Sequence, residues 1–117
     1  MSFLDFWFGQ SNDQEFAILD DNEVSWKPVP VKAGDKVQIK YRGLLKDRGA
    51  EDLYLYYSFD NWSVPAQTSK MKQQKNGDFT AAVAATGQQL NFCFKDSAEN
   101  WDNNNGQNWN LFLQPQN

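Results

Sequence analysis

Short runs with apolar side chains at every second position recur along this chain, separated by glycine, asparagine and aspartate. Alternation at period two places successive side chains on opposite faces of a strand. No stretch of ten or more residues keeps an apolar helical stripe, so the sequence is read as all-β. The candidate strands are Glu15–Asp20, Lys36–Gly43, Leu53–Phe59, Thr68–Lys72, Asp78–Ala84, Gln89–Lys95 and Trp109–Leu113. Ala33-Gly34-Asp35, Asn76-Gly77 and Thr86-Gly87 bound them, and Asn76-Gly77 predicts a tight hairpin turn. Seven short strands in 117 residues predict one domain with an immunoglobulin-like β-sandwich fold. Val29-Pro30-Val31, preceded by Pro28, lacks the amide donors of an interior strand and is expected to run extended along an edge.

The same alternation assigns faces. Leu53, Leu55, Tyr57 and Phe59 take one side of their strand, and Tyr54, Tyr56 and Ser58 the other. The leucines mark the core side. By that rule Leu90, Phe92, Phe94, Trp109, Leu111 and Leu113 point inward, while Asn91, Cys93 and Lys95 point outward.

Charge and residue inventory exclude several functions. With 15 acidic against 11 basic residues the net charge is −4, which gives no footprint for nucleic acid. No apolar run approaches the roughly 20 residues of a membrane span. Met1–Gln10 has no basic leader segment and is broken by Asp5. Cys93 is the only cysteine, which rules out an internal disulfide and suits a reducing, cytoplasmic location, or a secreted one if the chain is an excised module. The chain has no histidine, so Cys93 has no activating base, and a surface thiol is expected there. A calcium loop starting at Asp102 fails the count, since Gly106 falls at the fifth position and not the sixth. No carboxylate pair carries a glycosidase signature. The expectation is a protein that is not an enzyme and holds no metal or cofactor.

Aromatic residues make up 15% of the chain although mean hydropathy is −0.75, so some rings must lie near water. Tyr56 falls on an outer strand face, Trp62 in the turn after Phe59, and Trp101 at the head of the amide-rich run Asp102-Asn103-Asn104-Asn105. Flat apolar rings beside planar amides suit sugars, because the rings cover axial C–H groups and the amides pair with vicinal hydroxyls. Two further readings stay open. Trp62 and Trp101 can close loops against the core, and Asn103 and Asn104 can cap backbone instead of touching a ligand. A protein-binding interface would use the same aromatic residue types.

Four motifs carry a resemblance to a known family. Tyr56-Tyr57-Ser58-Phe59-Asp60-Asn61-Trp62, Phe92-Cys93-Phe94-Lys95-Asp96, Trp101-Asp102-Asn103-Asn104 and Gly106-Gln107-Asn108-Trp109 resemble those of the starch-binding carbohydrate-binding module family 25, with family 53 close by. The resemblance covers residues 34–113 as the module core, and residues 1–33 have no clear counterpart. It implies a non-catalytic module for α-1,4-glucans (starch, glycogen, maltooligosaccharides), with Trp62 and Trp101 as stacking rings and Asn103 and Asn104 bonding hydroxyls. Tyr56 stands where the family has histidine, and Ser58, where it has glycine, is expected to add bulk beside the groove. A glucan-active enzyme is a further candidate partner. Phe3, Phe6 and Trp7 share the spacing of one short helical face, expected to dock on its own domain or to mediate self-association.

Overall fold

The computed structural model describes residues 16–19 and 23–116. Its elements are β1 (Ala17–Leu19), β2 (Val24–Lys27), β3 (Lys36–Tyr41), α1 (Leu44–Asp47), β4 (Leu53–Phe59), β5 (Gln67–Lys70), β6 (Lys72–Gln73), β7 (Phe79–Ala84), β8 (Gln89–Asp96), β9 (Trp101–Asp102) and β10 (Trp109–Phe112). They form two antiparallel sheets, ordered β1-β2-β3-β7-β6 and β10-β8-β4-β5, with β9 added beside β8. Strands β2, β3, β7 and β6 follow the A-B-E-D order and β10, β8 and β4 the G-F-C order of an immunoglobulin-like sandwich.

The core lies between the sheets. Val37, Ile39 and Tyr41 from β3 meet Leu53 and Leu55 from β4 and Leu90, Phe92 and Phe94 from β8, all fully buried. Burying each aliphatic or phenyl side chain contributes roughly 1.5–3 kcal/mol. Trp109, Leu111 and Leu113 complete the core from β10 and its end, as the alternation predicts. The Phe94 ring packs 4.1 Å from Tyr41, which joins the two sheets at the site's end of the sandwich.

Several expectations are corrected. The expected strand Thr68–Lys72 is two strands, because the chain crosses from one sheet to the other at buried Met71. Strand β2 was too short to stand out by alternation. The strand expected to reach Gly43 ends at Tyr41, where the chain enters α1. A Cβ at Gly43 would come within 2.7–2.9 Å of the Tyr41 ring, so only glycine fits that corner. Pro28, Val29 and Pro30 bend, and the chain then meets the end of edge strand β10: Gln114 N donates to Val31 O at 2.7 Å and Ala33 N to Gln114 O at 2.8 Å, around a single parallel bridge at Lys32. The expected aromatic helical face of Phe3, Phe6 and Trp7 lies outside the described residues.

Candidate functional site

Strand register gathers the candidate residues on the outer face of the β10-β8-β4-β5 sheet. Tyr56 stands opposite Cys93, Ser58 opposite Asn91, Asn91 opposite Asn110, and Lys95 opposite Trp101. Tyr56 is thus the floor, which Trp62 reaches from the turn after β4 and Trp101 from β9.

Trp62 arrives through a left-handed turn. Asp60, Asn61 and Trp62 have φ of 54°, 59° and 62°, a conformation that costs a side-chain-bearing residue on the order of 1–2 kcal/mol. Hydrogen bonds hold it: Asp60 N donates to Gln89 O (2.8 Å), Ser63 N to Phe59 O (3.1 Å) and Trp62 N to Asn91 Oδ1 (3.1 Å). Asn91 is fully buried on the outward side of β8, and its Nδ2 donates to Asn110 Oδ1 at 2.6 Å. The turn therefore folds back over the sheet. It brings the Trp62 ring to 5.8 Å from Tyr56 at an interplanar angle of 27°.

Trp101 is set by different means. Its ring lies 5.2 Å from Tyr56 at 87°, with Lys95 Nζ 5.3 Å from its centroid, and it stays 42% exposed. Before it, Asp96 braces the turn by accepting from Ala98 N, Asn100 N and Asn100 Nδ2, each at 2.9 Å. The Asn100 side-chain donor, followed by its backbone N–H, holds the Asp96 carboxyl below the usual carboxylate range. After it, Asp102 Oδ2 accepts a 2.6 Å hydrogen bond from the Tyr41 hydroxyl, which itself accepts from Leu45 N at 3.0 Å. Burial, reinforced by the Asp102 acceptor, pushes the Tyr41 pKa well above the ordinary phenol value and keeps it a neutral donor.

The amide loop is shaped by its own side chains. Asn103 Oδ1 accepts from Gly106 N (2.9 Å), and Asn104 Nδ2 donates to Asn108 O (3.1 Å). Asn104, Asn105 and Asn108 adopt φ of 57°, 56° and 58°, where asparagine is tolerated better than most residues. Backbone capping thus uses one end of each side-chain amide. Asn103 Nδ2 and Asn104 Oδ1 have no hydrogen-bond partner among the described residues.

Two expectations about this face are corrected. Cys93 is not a surface thiol: it is 4% exposed, in a central strand directly across from Tyr56 and under the aromatic cluster. Burial, with a smaller push from the Asp102 charge, raises its pKa to about 11. Ser58, expected beside a groove, is buried and donates from Oγ to Val64 O at 2.7 Å, so it tightens the turn. Sequence reasoning also missed Asn91 and Tyr41, which position Trp62 and the amide loop. The signal for Tyr41 was a hydroxyl-bearing residue in the inward series of β3; for Asn91 there was none, because its burial depends on the turn folding over it.

The fold and this face define an immunoglobulin-like β-sandwich with an aromatic cluster on the outside of one sheet. No family model matches the chain. It is 35% identical over 91 residues to an alpha-amylase of Clostridium acetobutylicum, a match covering 76% of this chain. The chain spans 11% of that protein's length, so it corresponds to a small segment of it.

Proposed function

We propose that the protein is a non-catalytic module that binds α-1,4-glucans, of the starch, glycogen or maltooligosaccharide kind. The observation that carries this reading is the angled aromatic cluster. Trp62 lies nearly parallel to Tyr56 while Trp101 stands almost perpendicular to it. Rings inclined in this way suit successive units of a curved α-linked chain, whereas a flat β-linked chain suits rings held in one plane. Asn103 Nδ2 and Asn104 Oδ1 supply a donor and an acceptor for sugar hydroxyls beside Trp101. The resemblance to carbohydrate-binding module family 25 and the match to a segment of an alpha-amylase support the same reading. The chain also lacks histidine, the side chain most often used for proton transfer.

Electrophoresis in native gels containing glycogen tests the proposal. The wild-type protein should be retarded and the Trp62→Ala, Trp101→Ala double variant should run freely. Equal mobility of the two, with and without glycogen, would contradict it and favour a protein-binding role for the cluster.

A further inference from the structure

The same sheet face carries a second aromatic side chain that the cluster does not use. Phe112, at the end of β10, is 78% exposed. It lines an open concavity of about 540 Å³ together with Asp60, Gly87, Gln88 and Gln89. Register pairs Phe112 with Gln89, Asn110 with Asn91 and Tyr56 with Cys93, so Phe112 shares the face of Tyr56, separated by four residues along β8 and two strands across. At ~3.3 Å per residue and ~4.8 Å per strand, the two backbone positions lie about 16 Å apart.

A lone exposed phenylalanine on an edge strand is ordinary. What distinguishes this one is the wall beside it. Asp60 opens the left-handed turn that carries Trp62, and its Oδ1 accepts from Gln88 N (2.7 Å) and Gln89 N (3.2 Å). Gly87 has φ of 71°, and a Cβ there would run into the Asp60 carboxyl group, so the corner admits only glycine. One braced turn thus positions Trp62 on one flank and walls the Phe112 concavity on the other. The side-chain amides of Gln88 and Gln89 have no hydrogen-bond partner among the described residues. A ring face beside two free planar amides repeats the chemistry of the main cluster, and exposed Asn110 lies between the two.

We propose that Phe112, Gln88 and Gln89 form a second subsite, which takes a further glucose unit of the same α-glucan chain that occupies Tyr56, Trp62 and Trp101. It rests on the α-glucan reading and extends it: the module measures chain length, preferring oligosaccharides long enough to reach both positions. The test is calorimetric titration of wild type and Phe112→Ala with maltotriose and maltoheptaose, with sedimentation of both proteins. Wild type should prefer maltoheptaose; Phe112→Ala should bind it about three- to tenfold more weakly, as expected for loss of part of one ring face, with maltotriose affinity unchanged. Gln88→Ala should weaken maltoheptaose binding in the same selective way. If Phe112→Ala binds maltoheptaose as wild type does, the subsite is overturned and the α-glucan reading stands. A wild type that binds neither sugar overturns both. If the substitution converts a dimer to a monomer without changing sugar affinity, Phe112 belongs to a contact between copies, and the subsite is again overturned.

Discussion

The two outer faces of the sandwich enclose concavities of equal size and opposite character. On the β1-β2-β3-β7-β6 sheet a space of about 540 Å³ is lined by Phe16, Lys27, Gln38, Lys40 and Thr80, among others. Both lysine ammonium groups sit over the Phe16 ring, at 4.7 and 4.4 Å, so a ligand would have to displace them to stack there. Nearby, Arg42 is held by Asp78 at 2.8 Å. On the β10-β8-β4-β5 sheet Trp101 and Phe112 are exposed, and Tyr56 and Trp62 are half-buried. One ammonium group (Lys95) lies 5.3 Å from the Trp101 centroid, and the amides of Gln88, Gln89, Asn103 and Asn104 lie beside the rings. The backbones differ too. Every described non-glycine residue with positive φ (Asp60, Asn61, Trp62, Glu99, Asn104, Asn105, Asn108) lies in a loop of the second sheet. Such conformations persist only where the surroundings fix them, and here they aim rings and amides at one patch. Cavity volume does not tell the faces apart; where strain is stored does.

The sharpest way to break that contrast is to strip the rings. Trp62→Ala and Trp101→Ala should each weaken maltoheptaose binding about tenfold or more, since one stacked ring face is worth roughly 1–2 kcal/mol. Circular dichroism should report an intact fold for both. Near-native affinity in either variant would remove that ring from the site.

Next in size is the buried support of the amide loop. Tyr41→Phe deletes the donor to Asp102 and leaves a part-buried carboxylate short of a hydrogen bond, at a cost of about 1–3 kcal/mol in urea unfolding. Glucan binding should weaken several-fold through the loop, although Tyr41 is in the core. An unchanged affinity would mean that the 101–108 loop keeps its shape without this anchor.

A smaller effect separates the buried thiol from a surface one. The folded-state pKa of Cys93, about 11, lies above the ordinary value of 9.0. Its contribution to stability is therefore complete below pH 9 and is lost as pH rises through about 11. The Tyr41 shift runs in the same direction and adds to the alkaline loss. Thermal melts at pH 7, 9 and 11 should show a decline confined to the last interval, part of which Cys93→Ser removes. Rapid alkylation of Cys93 in the native protein at pH 8 would contradict its burial.

The smallest expected effect is none. Lys27→Ala and Lys40→Ala, on the opposite face, should leave maltoheptaose affinity within twofold of wild type, because about 1 kcal/mol of binding energy would already exceed that range. A marked loss would move the site, or a second one, to the lysine face.

Much of this was legible in the sequence. Alternation with period two placed Leu53, Leu55, Leu90, Phe92 and Phe94 in the core, and turn residues located most strand ends. It also put Tyr56 outward. It failed where burial comes from something folding over an outer face: Asn91 and Cys93 alternate outward as expected, yet the turn at Asp60–Trp62 and the aromatic rings cover them. Asp60 and Asn61 tolerate the left-handed region, but the extension of that run to Trp62 has no local sequence signal, since tertiary hydrogen bonds hold a tryptophan in a conformation it disfavours alone. The tie from Tyr41 to Asp102 spans 61 residues of sequence and is invisible to any window along it. The Asn103–Asn104 run was readable as either ligand contact or backbone cap, and its hydrogen bonds use one end of each amide for the cap.

The central claim is that an inclined set of rings selects a curved glucan, and calorimetry with maltoheptaose and cellohexaose tests it most directly. The account predicts maltoheptaose binding with a Kd on the order of 10 μM to 1 mM, about −4 to −7 kcal/mol, held to that range by hydroxyl desolvation. Cellohexaose should give no measurable heat under the same conditions. Equal affinity for the two chains, or a preference for cellohexaose, would contradict the claim even if the protein proved to bind sugar.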